Sequence, residues 1–402
     1  MGTTQHEKAI SSVLKAVSII KRGGMIILVD DEDRENEGDL VFAADYVTPE
    51  HINFMARQAR GLICLTLEPQ IVGRLNLPMM TDSTRRQPEK ETAFTVSIEA
   101  RTGVTTGISA ADRARTIKVA IDPASVPDDI VVPGHIFPIK ARPGGVLRRA
   151  GHTEGSVDLA RLAGLTPAGV ICEIMNEDGT MSRMPDLEKF STKHNVPIVT
   201  IADLITYRLL KESYIEEIGR KPIKTPYGIF DSVLFRNKID GLKHLAIIRG
   251  EESFKDEIVD VRVHAQKQLA DVLGDREKSS GYKIDYGLRM LADSIYSVLI
   301  YLQKSEDGNR IFEDDLNQLF LDTQQTERSS QEQYSFNMKM LGTGAQIIRS
   351  LGINRMRVHT STPGQSYKLS GFGLEITEVK LMAPYSRYEP ANFYDSYEAV
   401  KS

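Results

Sequence analysis

Cysteine is nearly absent from this 402-residue chain, and long apolar runs are missing altogether. The two cysteines, Cys64 in GLICLTL and Cys172 in GVICEIM, each lie inside an apolar, strand-like run. Buried, reduced thiols are therefore expected rather than a disulfide or a metal site. No stretch approaches the roughly 20 apolar residues of a membrane span. The polar start MGTTQHEKAISS also lacks the apolar core of a secretion signal, so a cytoplasmic protein is expected. An excess of one charge is lacking too: 50 basic against 55 acidic residues leave a net charge of −5. That balance gives no sign of a nucleic-acid or membrane-surface partner. What is present is a 41% hydrophobic composition, able to fill real cores, over a length that suits two or three domains of about 150 residues.

The chain divides near residue 210. Before it, apolar strands alternate with helical patterns: a helix over 10–21, then strands at 25–29, 61–67, 94–98, 169–174 and 197–200. This predicts a mixed α/β (α+β) domain over 1–210, a mixed sheet flanked by helices. The segment KESYIEEIGRKPIKTPYG, from Lys211, is charged and then broken by Pro and Gly, as in a linker or the entry strand of a second α/β domain over 211–402. There HLAIIRG and EIVDVRVHA read as strands and LRMLADSIYSVLIYLQK as a helix. The polar run 306–335 and the Tyr-rich tail from 385 show no core face, so loose structure is expected in both. No internal repeat is present.

The densest chemistry lies in VDDEDRENEGDL, residues 29–40, which holds seven carboxylates and follows an apolar strand. Such crowding suggests a cation, and oxygen ligands suit a hard metal such as Mg²⁺. A solvated acidic loop closed by a flexible Gly38 is the alternative. Position favours the metal, because loops at strand ends carry chemistry in α/β folds. Four further clusters share this half. RTGVTTGISAADRART offers threonines, Thr106 among them, ahead of a helix capped by Ser109, as suits a phosphate, although any Gly/Thr loop before a helix looks similar. PGHIFPIK sets His135 between prolines in a rigid turn. RRAGHTEGSVDLARLAG brings Arg149, His152, Thr153 and Glu154 to a helix start, where arginine and hydroxyl could hold a phosphate and imidazole could join a carboxylate on a metal. Glu173 interrupts the apolar strand GVICEIM, as a paired or proton-transferring carboxylate would. Together they argue for a metal-assisted reaction on a phosphorylated substrate.

DDEDRENEGDL, GVTTGISAADR, PGHIFPIKARPGGVLRRAGHTE and PAGVICEIMNEDGTMSR, in this order and spacing, closely resemble the 3,4-dihydroxy-2-butanone-4-phosphate synthase family of riboflavin biosynthesis, over about residues 10–209. The resemblance implies conversion of D-ribulose 5-phosphate to L-3,4-dihydroxybutan-2-one 4-phosphate and formate with two Mg²⁺ or Mn²⁺ ions. It implies Glu35 and His152 as metal ligands, and places the substrate against Arg34, Glu35, Asp39, Thr106, Arg149, Ala150, Gly151, His152, Thr153 and Glu173. It gives His135 and Glu173 catalytic roles, with Asp39 and Glu173 as candidates for the proton-handling pair. Asp30 to Asp33 and Glu37 are expected to tune the loop's field. Ala150 stands where many relatives have glycine, a mild departure that activity should survive. The resemblance also implies a homodimer.

The second half resembles the GTP cyclohydrolase II family, through TPYGIF, HLAIIRG, VRVHA, LGTGAQIIRSLGI and LSGFGLEI. Its chemistry looks stripped. Where that family holds zinc with three cysteines, this chain has Lys267, Ile284 and Tyr286, and no cysteine follows Cys172. No zinc site of that kind is expected. Asn337 and Lys339 replace the family's Asp and Arg, SEDGNRIF replaces its EGRGIG loop, and Thr360, Ser361, Thr362, Pro363, Gly364 and Gln365 replace its Thr-Asn-Asn-Pro-x-Lys pattern. The expectation is a synthase whose second domain is inactive and serves as scaffold, dimer support or regulator. A nucleotide held by Arg262, His264 and Thr360, a zinc-free bifunctional enzyme, and a non-catalytic regulatory protein are the alternatives.

Overall fold

The computed structural model describes residues 5–31, 34–81, 92–267, 271–272, 281–304, 330–361 and 374–382, with the side chains of 5, 281 and 330–338 excepted. Glu32 and Asp33, most of the polar run 306–335, the tail from 385, SEDGNRIF, the side chain of Asn337 and positions 362–365 lie outside the described residues. The chain forms two compact units, Met1–Lys211 and Glu212–Ser402.

The first unit is built on a seven-stranded mixed sheet. In chain order its elements are α1 (Gln5–Ile20), β1 (Ile26–Val29), β2 (Gly38–Ala43), α2 (Pro49–Phe54), β3 (Cys64–Leu67), α3 (Pro69–Arg74), β4 (Ile98–Ala100), α4 (Ala110–Ile121), β5 (Ile130–Lys140), α5 (His152–Leu162), β6 (Ala168–Glu173), α6 (Met184–His194), β7 (Ile198–Thr200) and α7 (Ile201–Lys211). The strands lie in the order β4-β5-β3-β6-β2-β1-β7. Helices cover both faces, which is why IILV of β1 is apolar without alternation and buried throughout. On one face Leu40, Phe42, Leu65, Val170 and Cys172 join Ile52 of α2, Ile117 of α4 and Leu187 of α6 in a single core. On the other, α5 lies close: a Cβ on Gly155 would stand 2.6 Å from Leu28, and the Ser156 and Thr66 hydroxyls are 2.7 Å apart.

Three expectations are corrected here. PGHIFPIK is not a turn but the body of the eleven-residue strand β5; its β-branched neighbours and its antiparallel partner β4 override the prolines. Gly38 is no flexible closure, since it opens β2 opposite Val29. A Cβ there would stand 2.5 Å from Leu187, so glycine is required by packing. The expected strand at 94–98 forms instead as Ile98–Ala100, preceded by isolated bridges at Phe94 and Thr95. Cys64 and Cys172 are free and buried as expected, and burial pushes both thiols up.

The second unit has its own seven-stranded sheet, β8 (Ile215–Thr225), β9 (Gly228–Asn237), β10 (Lys243–Arg249), β11 (Ile258–Ala265), β12 (Ser297–Leu302), β13 (Arg355–Thr360) and β14 (Glu375–Leu381), in the order β14-β13-β11-β12-β10-β9-β8. The segment from Lys211 is an entry strand: it supplies β8, which turns back at TPYG into β9. LRMLADSIYSVLIYLQK is not one helix. A helix over Gly281–Asp293 ends there, and SVLIYL forms β12 between β10 and β11, as its β-branched run would favour. Among the described residues no helix is long and apolar enough to cross a membrane.

His244 of β10 is a buried imidazole whose Nδ1 accepts the Gln303 amide at 3.2 Å while its Nε2 has no partner. Burial lowers its pKa to about 4. A depressed histidine keeps the fold at full stability above the ordinary imidazole value, and that stability is lost as pH falls through about 6.5 toward 4. His244→Leu should therefore flatten the acid limb. Urea unfolding of the full chain at pH 7 and pH 4.5 should show wild type losing roughly 2 kcal/mol more than the variant; parallel losses would contradict this assignment.

Candidate active site

The acidic run is the connection between two paired strands. β1 ends at Val29 and β2 begins at Gly38, so residues 30–37 must reverse direction above the sheet edge. Asp30 organises them: its carboxylate accepts the Glu37 amide at 2.8 Å, the Glu35 amide at 3.3 Å and the Arg34 guanidinium at 2.5 Å. Arg34 also grips Glu35 in a two-point pair at 2.6 and 3.0 Å. From the start of α6, Arg183 donates to the carbonyls of Glu35, at 2.6 Å, and of Asn36. Asn36 holds a left-handed φ of 54°, which asparagine tolerates better than most residues. Part of the negative charge is thus met by two arginines, one of them from a distant element.

Below this loop the sheet register sets Asp39 of β2 directly opposite Glu173 of β6. Opposed side chains on adjacent strands share a face about 5 Å apart. Asp39 is buried, and burial, followed by the charges of Glu173, Glu35, Asp30 and Glu37, holds its carboxyl well above the usual range. Glu173 is fixed from the other side, accepting the Leu62 amide at 2.8 Å. Gly61 has no room for a side chain, since a Cβ would collide with the Glu173 backbone.

The third wall is the N-terminus of α5. His152, its first residue, is 6% exposed, with Nδ1 3.8 Å from Glu35 and 3.9 Å from Asp39. Burial lowers its pKa, against the pull of Asp30 and Glu35. Two atoms here are buried without a hydrogen-bond partner, His152 Nε2 and Asp39 Oδ1. Ligand atoms of Asp30, Glu35 and His152 all lie within 4.8 Å of one another. Two hard oxygens and a neutral imidazole, beside orphaned polar atoms, form a donor set that fits a divalent cation. Asp30, left outside the ligand set in the sequence, joins it in space.

Arg149 reaches Glu154 at 2.8 Å, and Glu154 accepts the Arg142 amide at 3.0 Å. Gly151, the N-cap of α5, lets the Arg149 guanidinium lie close over the chain; a Cβ there would push it aside. No side chain caps α5, so its first amides remain able to meet an anion. Ala150 is half-buried and Thr153 buried beside them.

His135 and Thr106 make no direct hydrogen bond or ion pair with this cluster. Thr106 is exposed in the loop before α4, whose cap is Ser109 as expected. His135 forms a separate group: its Nδ1 is 2.8 Å from Glu99, and Glu99 accepts the Thr116 hydroxyl at 2.6 Å. The sequence reading missed Glu99. The signal was available, because VSIEA interrupts an apolar strand with a carboxylate just as GVICEIM does.

In the second unit Tyr286, at a former cysteine position, bonds His359 at 2.8 Å, and His359 bonds Asp260 at 2.6 Å. His264 pairs with Asp271 at 2.9 Å, which also accepts Tyr301. Among the described residues of this unit no three His, Cys, Asp or Glu side chains converge on a common point.

The family profile described as 3,4-dihydroxy-2-butanone 4-phosphate synthase matches residues 14–207, and the profile described as GTP cyclohydrolase II matches residues 216–380. The chain is 48% identical over 385 residues to the riboflavin biosynthesis protein RibBA of Aquifex aeolicus, covering 93% of each. It is 45% identical over 367 residues to a 3,4-dihydroxy-2-butanone 4-phosphate synthase of Neisseria meningitidis serogroup B, covering 91% of this chain and 97% of that protein. The crystal structure of RibBX, a two domain 3,4-dihydroxy-2-butanone 4-phosphate synthase from A. baumannii, superposes with a TM-score of 0.73 at 42% identity, covering 92% of this chain and 99% of that one.

The raised Asp39 carboxyl implies a stability cost carried by the site. A carboxyl raised in the fold destabilises it above the ordinary carboxylate pKa, and the cost vanishes once pH falls below that value. In chelator-treated protein Asp39→Asn should be more stable than wild type by about 1–3 kcal/mol at pH 8, with the gain disappearing near pH 4. Denaturant unfolding at the two pH values checks this, and a destabilised variant at pH 8 would contradict it.

Proposed function

The chain belongs to the 3,4-dihydroxy-2-butanone 4-phosphate synthase family, and from that premise we propose that residues 1–210 convert D-ribulose 5-phosphate to L-3,4-dihydroxybutan-2-one 4-phosphate and formate. The observation that carries this is the convergence of Asp30, Glu35 and His152, with ligand atoms within 4.8 Å of one another, beside the buried and unpartnered Asp39 Oδ1. A buried polar atom left unsatisfied, as Asp39 Oδ1 is, is costly unless a ligand completes it.

Asp30, Glu35 and His152 would hold divalent cation, Mg²⁺ or Mn²⁺, of which the family resemblance implies two. Bound there, the metal supplies positive charge to the vicinal oxygens of the ketose as negative charge develops. The chain's own groups do the rest. Asp39, whose carboxyl is held well above the usual range by burial and by its carboxylate neighbours, is suited to take the C3 proton that must leave to give an enediol. Glu173, locked by the Leu62 amide, faces it across the strand pair and handles a second transfer. Arg34, engaged by Asp30 and Glu35, orients the metal-binding carboxylate. The uncapped start of α5, with Arg149, Ala150, Gly151 and Thr153, receives the phosphate. Thr106 and His135 complete the substrate and catalytic sets, and the proposal includes a homodimer formed through this unit.

Residues 211–402 are proposed to lack GTP cyclohydrolase II activity. Cysteine is absent from this half, and the Tyr286 hydroxyl is committed to His359. A scaffolding or regulatory role follows for it.

Formate release from ribulose 5-phosphate with Mg²⁺ tests the first claim. Wild type should turn over, EDTA should abolish turnover, and Glu35→Ala or His152→Ala should lower it by at least about 100-fold; no formate from wild type would sink the assignment. Metal analysis and GTP turnover test the second. Purified full-length protein should carry no stoichiometric zinc and leave GTP unchanged, whereas one tightly bound zinc per chain would overturn it.

A further inference from the structure

We infer that Glu99 is the positioning residue that fixes the tautomer and aim of His135, making Nε2 its working atom. The inference rests on the reading of His135 as a catalytic group. Each link is a hydrogen bond with an assigned direction. The Ala100 amide donates to the Thr116 hydroxyl at 3.1 Å, so that hydroxyl's own hydrogen is directed to Glu99 Oε1 at 2.6 Å. The other oxygen, Oε2, accepts the His135 backbone amide at 3.2 Å and lies 2.8 Å from Nδ1. With both carboxylate oxygens already accepting, Nδ1 must be the donor in this contact. A neutral imidazole that carries its hydrogen on Nδ1 presents a bare lone pair at Nε2.

The surroundings make the arrangement rigid. The Glu99 side chain is 10% exposed whereas the His135 ring is 43% exposed, so the carboxylate is a fixed anchor and the ring reaches outward from it. Gly107, at φ +89°, closes over the bond; a Cβ there would collide with both Glu99 and Nδ1. Gly107 is itself tethered, its amide donating to Asp112 at 3.0 Å beside the Thr105 hydroxyl at 2.7 Å. The strand alternation of β5, with Ile136 in the core, puts His135 on the opposite face from that core. A buried carboxylate behind an exposed imidazole is the arrangement that holds a ring in one orientation and one tautomer.

Glu99→Gln is the discriminating variant. Its amide offers one oxygen where three donors converge, so the ring loses its fixed partner while the volume stays nearly constant. In full-length protein assayed with ribulose 5-phosphate and Mg²⁺, we expect kcat to fall about 10- to 100-fold with KM within about 3-fold. In a His135→Asn background, Glu99→Gln should cost less than about 2-fold further, because a residue acting through another is non-additive with it. Independent losses in the double mutant, or a loss confined to KM, would overturn the inference. An unaltered Glu99→Gln enzyme alongside a crippled His135→Asn enzyme would overturn the inference alone, whereas an active His135→Asn enzyme would overturn the role of His135 itself. A measurement without any change at Glu99 guards against misfolding of that variant. In ¹⁵N-histidine-labelled protein, with the His135 signals identified by their loss in His135→Asn, Nδ1 should be protonated and Nε2 bare at pH 8; a proton on Nε2 would contradict the account.

Discussion

The first unit depends on holding two carboxylates, Asp39 and Glu173, face to face across β2 and β6. Like charges directly opposite on adjacent strands are destabilising, before the burial of Asp39 is added. No hydrophobic protein would keep such a pair for stability. The surrounding elements hold it: the strand register fixes the backbone, the Leu62 amide fixes Glu173, and the backbone of Gly61 packs directly on that of Glu173. Burial and the same pairing hold the Asp39 carboxyl well above its ordinary range.

Everything else in the unit answers that constraint. In the hairpin loop Arg34 pairs with the Asp30 and Glu35 carboxylates, and Arg183 clamps the backbone carbonyls of Glu35 and Asn36. α5, seated closely on the sheet through Gly155 and Ser156, brings His152 against Asp39 and points uncapped amides outward. The buried thiols of Cys64 and Cys172, raised by the same burial, are spectators of the core and not reagents.

The sequence was legible where chemistry is local. A carboxylate in an apolar strand exposed Glu173, a Ser before a helix exposed the α4 cap, and an unbroken motif order carried the family. It was less legible where partners are distant in the chain. Asp30 could not be told from its neighbouring carboxylates until Arg34, the Glu37 amide and His152 were seen around it, and Arg183 lies 148 residues from the carbonyl it clamps. Pro-flanked His135 reads as a turn because proline dominates local propensity, yet sheet pairing decides otherwise. SVLIYL was hidden by continuity with a helix that ends at Asp293. In the second unit the missing cysteines were plain from sequence, but the Tyr286–His359–Asp260 chain in their place required coordinates.

The central claim is that Asp30, Glu35 and His152 form a cation site beside the buried Asp39. Electron paramagnetic resonance titration of Mn²⁺ into the chelator-treated full-length chain, with ribulose 5-phosphate present, counts bound ions directly. The account predicts bound Mn²⁺ in wild type and its loss in His152→Ala, and the same binding in both proteins would contradict it.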